Sequence, residues 1–234
     1  MTSGALLRES TSASSRVTKM LIREPRRLWI AIRGAARLGT QLVRDPHQFA
    51  YLRRWVPTVE RSTLDLELPW LPFQVIDRLD EVLTPASRVF EYGGGGSTLW
   101  MAQRAGEVVT AEHDPEWAEL LSERTAPLSN VTLLIRSAAN QYADYVPAID
   151  DYPDEYFDVV IVDGRERVRC FEHALHKVRP GGMLLLDDTE RARYAPAFDL
   201  AREHRHVTIR GIAPCKSQAA HTTVWLPRDT SEGR

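Results

Sequence analysis

The sequence predicts an α/β protein: a doubly wound, seven-stranded, mostly parallel sheet whose last strand is antiparallel, helices on both faces, and an N-terminal helical extension. Three observations lead there. After Pro85 short apolar runs of strand length alternate with helical segments. The first run passes straight through four glycines into a helix, and two later runs end on aspartate, where open α/β sheets bind ligands.

Taken in order, residues 1–16 are polar, Ser-rich and without period, so they read as a flexible tail. A helix can start at Glu24-Pro25, with Leu28, Ile32, Ala35, Leu38 and Leu42 as its apolar stripe. Arg26, Arg33, Arg37 and Arg44 fall within a sector of about 40° on the other face, and Asp45-Pro46 ends the helix. That stripe suits packing on the catalytic body, a homodimer through paired N-terminal helices, or peripheral contact with an anionic membrane. Residues 63–74 alternate and break at Pro69 and Pro72, which reads as an extended lead-in to a helix over 74–83. Strands are expected near 88–92, 107–112, 131–135, 157–162 and 182–187. A helix over 192–203 follows, then strands 206–212 and 222–226, joined by a loop containing Pro214 and Lys216. The expected division is a basic extension over 1–60 and a catalytic domain over 61–228.

The chain has 234 residues, 43% of them hydrophobic, enough for one well-buried domain and an appendage. The net charge of −2 hides an asymmetry: residues 1–60 carry eleven Lys/Arg against four Asp/Glu, a surplus of seven cations, which leaves −9 on the remainder. Cys170 and Cys215 form no metal or disulfide pattern, which suits a reducing compartment. No apolar run approaches membrane-spanning length, so a cytoplasmic, possibly membrane-peripheral protein is expected; a Ser- and Arg-rich start also fits an organellar transit peptide. Nucleic acid is not the expected partner, because the basic residues follow one helix without interleaved aromatics.

The glycine turn, Glu91-x-Gly93-x-Gly95-x-Ser97, lets a ligand approach the main chain and presents unpaired N–H groups. No lysine follows the glycines, which excludes a phosphate-binding loop. An acid two residues before the first glycine would repel a pyrophosphate but suits a cationic amino-acid group. Glu112, twenty-one residues on at the end of the next strand, can accept ribose hydroxyls. Together these residues resemble class I S-adenosylmethionine-dependent methyltransferases, especially bacterial sugar and small-molecule O-methyltransferases, over roughly 70–226. The segment Glu112-His113-Asp114-Pro115-Glu116-Trp117 is similar to a family pattern. The resemblance implies that Glu91, Gly93, Gly95 and Ser97 hold the methionine end of S-adenosylmethionine and Glu112 the ribose. It also places the adenine against Ser137 and Ala138. Asp114 equally reads as a helix N-cap.

Asp163 ends the fourth strand and Asp187-Asp188 the fifth, so three carboxylates should converge beside the cofactor. Three oxygen ligands suit Mg²⁺, and the resemblance to metal-dependent O-methyltransferases implies Asp163, Asp187 and Asp188 as its ligands. No lysine lies near Asp163 in sequence to act as base; Arg165 occupies that neighbourhood, and arginine stays protonated. Asp163 is therefore the expected base, with His113 and His173 behind it, and the catalytic set reads Asp163, Arg165 and His113. Arg165 or Arg167 could instead pair with surface acids, Asp188 could cap a helix, and Trp70 and Tyr194 could line the pocket or the core. The implied reaction moves a methyl group to a hydroxyl of a small molecule, a sugar or glycoside by resemblance. Two alternatives stay open: an aminopropyltransferase of the polyamine synthase type, and a non-catalytic cofactor-binding module at a membrane.

Overall fold

The computed structural model describes residue 36 and residues 38–226. Its seven strands are β1 (Arg88–Tyr92), β2 (Glu107–Glu112), β3 (Val131–Ile135), β4 (Phe157–Val162), β5 (Val178–Asp187), β6 (Arg205–Gly211) and β7 (Ala220–Leu226). They form one sheet in the order β3-β2-β1-β4-β5-β7-β6. All pairings from β3 to β5 are parallel, and β7 runs antiparallel to both β5 and β6. The doubly wound sheet with an antiparallel last strand is thus observed.

The central strands show why both faces are covered. Phe90, Val160 and Leu184 belong to one core cluster, and Val89, Val159, Ile161, Met183 and Leu185 to the other. Side chains alternate across the pleat, so a strand apolar at every position must be buried on two sides. β6 is an edge strand exposed along most of its length, and β3 at the other edge is half-buried, which explains its weak sequence signal.

Several elements differ from expectation. β5 starts at Val178 rather than 182, because the Arg179-Pro-Gly-Gly turn is absorbed as a bulge: Phe157 pairs with Val178, and Val159 with Met183. The helix expected over 192–203 is split into a 3-10 turn, Ala192–Tyr194, and a helix, Pro196–Leu200, since Pro196 has no N–H to continue a ladder. The extended lead-in holds instead a helical turn, Thr63–Leu66, in which the Ser62 hydroxyl accepts from the Asp65 N–H.

At the N-terminus a helix through 38–44 ends at Asp45-Pro46. Leu38 is buried and Leu42 packs on the same cluster, so this part of the apolar stripe faces the sheet domain. Arg26, Arg33 and Arg37 lie outside the described residues. The following segment docks too: the Ile212 N–H donates to Gln48 (3.1 Å), the Cys215 N–H to Thr58 (3.0 Å) and the Trp55 indole to the Lys216 carbonyl (2.8 Å). It thereby clamps the loop between β6 and β7. Among the described residues no helix is long and apolar enough to cross a membrane.

Candidate functional site

Chain order reverses between β1 and β4, which opens a crevice beyond their C-terminal ends. The turn after β1 meets the turn after β4 there. Gly93 has φ +90°, and a Cβ on it would lie 2.7 Å from the Gly164 Cα. Only glycine satisfies both the left-handed conformation and that approach. Gly96 is backed as closely, with the Thr63 carbonyl 2.1 Å from the position of a Cβ, so the Thr63–Leu66 turn abuts the glycine loop. A Cβ on Gly95 would instead meet nothing nearer than Trp117 at 3.8 Å. Gly95 therefore leaves room at the cleft wall.

Glu91 is fully buried beneath this turn. Thr98 donates to its carboxylate at 2.6 Å while accepting from the Gly95 N–H at 3.1 Å. Burial lifts the Glu91 carboxyl from 4.5 to about 7, although hydrogen bonds from Ser97, Thr98 and Thr110 oppose the rise. The folded state thus holds this proton more tightly than the unfolded chain. Stability is fullest below pH 4.5 and falls as pH rises toward 7, where the cost reaches about 3 kcal/mol. Glu91→Gln is expected to flatten that decline in urea unfolding across the same window; an unchanged slope would place the proton elsewhere.

Glu112 takes the other side of the turn. Its Oε1 accepts from the His113 and Asp114 N–H groups (2.7 and 2.9 Å) and lies 2.9 Å from His113 Nδ1, while Oε2 accepts from the Gly94 N–H at 3.0 Å. One lone pair is left on Oε2 for an incoming hydroxyl. Asp114 caps the helix Pro115–Thr125 through the Glu116 and Trp117 N–H groups, both at 3.1 Å. The Trp117 indole donates to the Gly94 carbonyl at 2.8 Å, so this motif braces the glycine turn.

Asp163, Asp187 and Asp188 converge as expected, with one oxygen of each lying within 4.8 Å of the others. Cations from three other elements stand among them. Arg167, at the start of the helix Arg167–Ala174, is buried; its Nη2 lies 2.7 Å from Asp163 Oδ1 and its Nη1 3.2 Å from Asp188 Oδ2. It also donates to the carbonyls of Gly164 (3.0 Å), Asp187 (2.6 Å) and Asp163 (2.8 Å). Lys216 sits 3.6 Å from Asp187 and 3.7 Å from Asp188, and Arg191 2.8 Å from Asp188. Thr222 donates to Asp187 at 2.5 Å. Burial and the facing Asp187 push the Asp163 carboxyl above the usual range, while Arg167 and Lys216 pull it back.

A cleft of about 590 Å³ joins these parts, lined by Gly93–Ser97, Glu112–Asp114 and Trp117 on one side and Asp163–Arg165, Arg167, Asp187, Asp188, Tyr194 and Lys216 on the other. The sequence model of the family described as "Methyltransferase domain" matches across this region. Residues 90–189 match a methyltransferase domain. Among solved structures, an rRNA methylase from Streptococcus thermophilus is 16% identical, with a TM-score of 0.53, covering 67% of this chain and 95% of that one. SMU.1697c from Streptococcus mutans, solved in complex with SAH, is 14% identical, with a TM-score of 0.50, covering 66% and 97%. These likenesses show the fold. No curated protein matches the chain in sequence.

Of the expected site residues, Gly93, Gly95, Ser97, Glu112, Asp163, Asp187, Asp188, Trp70 and Tyr194 all line the cleft. His113 and Arg165 also line it, away from the carboxylate cluster, and the other expected residues lie outside the lining. Glu91 supports the turn from below and is not part of the lining, because β1 points it inward to Thr98 and Thr110. Ser137 and Ala138 are exposed beyond β3, away from the lining, and the Ser137 hydroxyl accepts from the Ala139 N–H. His113 is held at the β2 end beside Glu112, against Tyr142 and Tyr145, rather than among the carboxylates of β4 and β5. Arg165 is exposed at the mouth, and Arg167 takes the position expected of it. His173 pairs with Asp150 outside the cleft.

Two glycines of this turn should separate structure from binding. Gly95→Ala is expected to keep the unfolding midpoint but to weaken cofactor affinity at least about tenfold by filling the space beside the main chain. Gly93→Ala is expected to cost about 2 kcal/mol of stability or more, since it adds both a positive-φ penalty and a backbone clash. Thermal unfolding with cofactor titration checks both; equal losses of stability would refute the distinction.

Proposed function

We propose that this chain is an S-adenosylmethionine-dependent methyltransferase that methylates a hydroxyl of a small molecule, of the sugar or glycoside class. The observation that carries the reading is one continuous cleft running from the glycine turn and Glu112 to a carboxylate at the end of β4. The residues fit the cofactor: Gly95 leaves the main chain open to it, and Glu112 keeps a lone pair for a ribose hydroxyl. When bound, S-adenosylmethionine supplies an electrophilic sulfonium methyl.

The chain's residues align the acceptor and remove its proton. With the cofactor held by the glycine turn and Glu112, the acceptor hydroxyl would face its methyl group, and Asp163 would take the hydroxyl proton as the oxygen attacks. Arg167 engages Asp163 Oδ1, leaving Oδ2 to receive that proton. The raised affinity of Asp163 for protons makes it a stronger base than an exposed aspartate.

Mg²⁺ does not fit this arrangement. Arg167, Lys216 and Arg191 already offset the three carboxylates, and an ion bound between them would have to displace Arg167 from a buried position with five hydrogen-bonding and ionic contacts. An aminopropyltransferase is also disfavoured, because cations crowd the acceptor side and would repel a polyamine.

Isothermal titration with S-adenosylmethionine and S-adenosylhomocysteine, followed by mass spectrometry of hydroxylated acceptors with and without chelator, tests the reading. Both cofactor forms should bind, and methylated product should form equally with chelator present. No binding of either form would overturn the methyl-donor assignment, and product formed only from the decarboxylated donor would favour aminopropyl transfer.

A further inference from the structure

The acceptor side of the cleft holds more cations than its acids use. Asp163 is taken by Arg167, Asp187 by Lys216 and Thr222, and Asp188 by Arg167, Arg191 and Lys216. Arg165 and Arg193 remain, and among the described residues neither has a carboxylate within ion-pairing distance of its guanidinium.

Both of them line the cleft and also an adjoining recess of about 330 Å³. Arg167, Arg169, Glu166 and Tyr194 contribute to the recess walls, and Arg169 pairs with Glu166 at 3.5 Å. Arg193 is held in place by stacking: its guanidinium lies 4.8 Å from the centre of the Tyr194 ring, while Arg167, fixed by the carboxylates, lies 5.3 Å from it. The mouth of the acceptor side thus has two guanidinium forks without a carboxylate partner among the described residues. A planar guanidinium is suited to the two oxygens of a carboxylate or phosphate.

We propose that the acceptor carries an oxyanion, a carboxylate or a phosphate, beside the hydroxyl to be methylated, and that Arg165 and Arg193 bind it. The inference rests on the methyl-transfer reading above and narrows its acceptor. A small anion is favoured over a polynucleotide, because the two arginines of the cleft without a carboxylate partner share one small recess while residues 61–234 carry a net charge of −9, which repels an extended polyanion.

The test is titration of the full chain, saturated with S-adenosylhomocysteine, with inorganic phosphate, glucose 6-phosphate, glucuronate and glucose, compared with Arg165→Gln, Arg193→Gln and the double variant. The anionic sugars should bind about 10- to 100-fold more tightly than glucose, and the double variant should lose that difference while its S-adenosylhomocysteine affinity is unchanged. Whichever of glucose 6-phosphate and glucuronate binds more tightly identifies the oxyanion. Equal binding of glucose, anion binding unchanged in the double variant, or no binding of any anion overturns the proposal. So does a tenfold loss of S-adenosylhomocysteine affinity in the variants, which would assign the arginines to the cofactor's carboxylate. A short RNA hairpin that binds more tightly than glucose 6-phosphate through the same two arginines would overturn it in favour of a nucleic-acid acceptor. If S-adenosylhomocysteine itself does not bind, phosphate titration of the unloaded protein still reads the two arginines, so failure of the methyl-transfer reading is distinguishable from failure of this one.

Discussion

Arg167→Met is expected to lower stability by about 3–5 kcal/mol at neutral pH, far beyond the effect of losing a surface ion pair. The side chain is buried and bridges Asp163 and Asp188 while donating to three carbonyls at the ends of β4 and β5. Methionine keeps much of the volume, so the cost comes from carboxylates and carbonyls left without a partner, not from a cavity. Lys216 and Arg191 can compensate Asp187 and Asp188, but Asp163 has no other cation within ion-pairing distance among the described residues. The deficit should shrink as pH falls, because protonation then relieves the uncompensated acids that the variant keeps buried. Arg167→Lys should fall between the two: it retains the charge but cannot reproduce the planar fork. Urea unfolding of the three proteins at neutral and acidic pH measures all of this, and a loss under about 1 kcal/mol for Arg167→Met would mean that the cluster is solvated.

What could be read in the sequence follows from how local each feature is. The four glycines, Glu112 and the aspartates at the ends of β4 and β5 are legible because each lies at a strand terminus, and strand termini share one edge of a parallel sheet. Their convergence in a single cleft needed no knowledge of side-chain packing. For Glu91, its position at the end of β1 is visible in the sequence, but its carboxylate turning beneath the glycine turn depends on Thr98 and Thr110, which lie on other elements. Arg167 carried one usable signal, its i,i+4 spacing from Asp163, yet choosing it over Arg165 required the geometry of the helix start. Lys216 had no local signal. It reaches Asp187 because β7 inserts between β5 and β6 and because Gln48, Trp55 and Thr58 clamp the intervening loop, contacts across more than 150 residues of sequence. The absence of a lysine next to Asp163 was therefore a true statement about the sequence and a poor guide to the site's charge.

The carboxylate cluster also sets what loss of the base should look like. Asp163→Asn is expected to reduce methyl transfer by about 10²- to 10⁴-fold while changing the affinity for S-adenosylhomocysteine by less than about threefold. Asparagine keeps the shape at the end of β4 and an oxygen for Arg167, which still holds Asp188 and the three carbonyls, so the fold should persist where alanine would leave a gap. What is removed is the group proposed to receive the hydroxyl proton. If that is the only change, the fall lies in turnover rather than in acceptor KM, and the residual rate rises with pH as the acceptor hydroxyl ionises unaided. A structural role alone would depress binding and turnover together and leave the pH profile unchanged. Single-turnover rates across pH for the wild type and Asp163→Asn separate these outcomes. Full activity in the variant would pass the role of base to the acceptor itself or to another residue of the cleft, with Arg167 and Lys216 acting only to set the field in which the oxygen attacks.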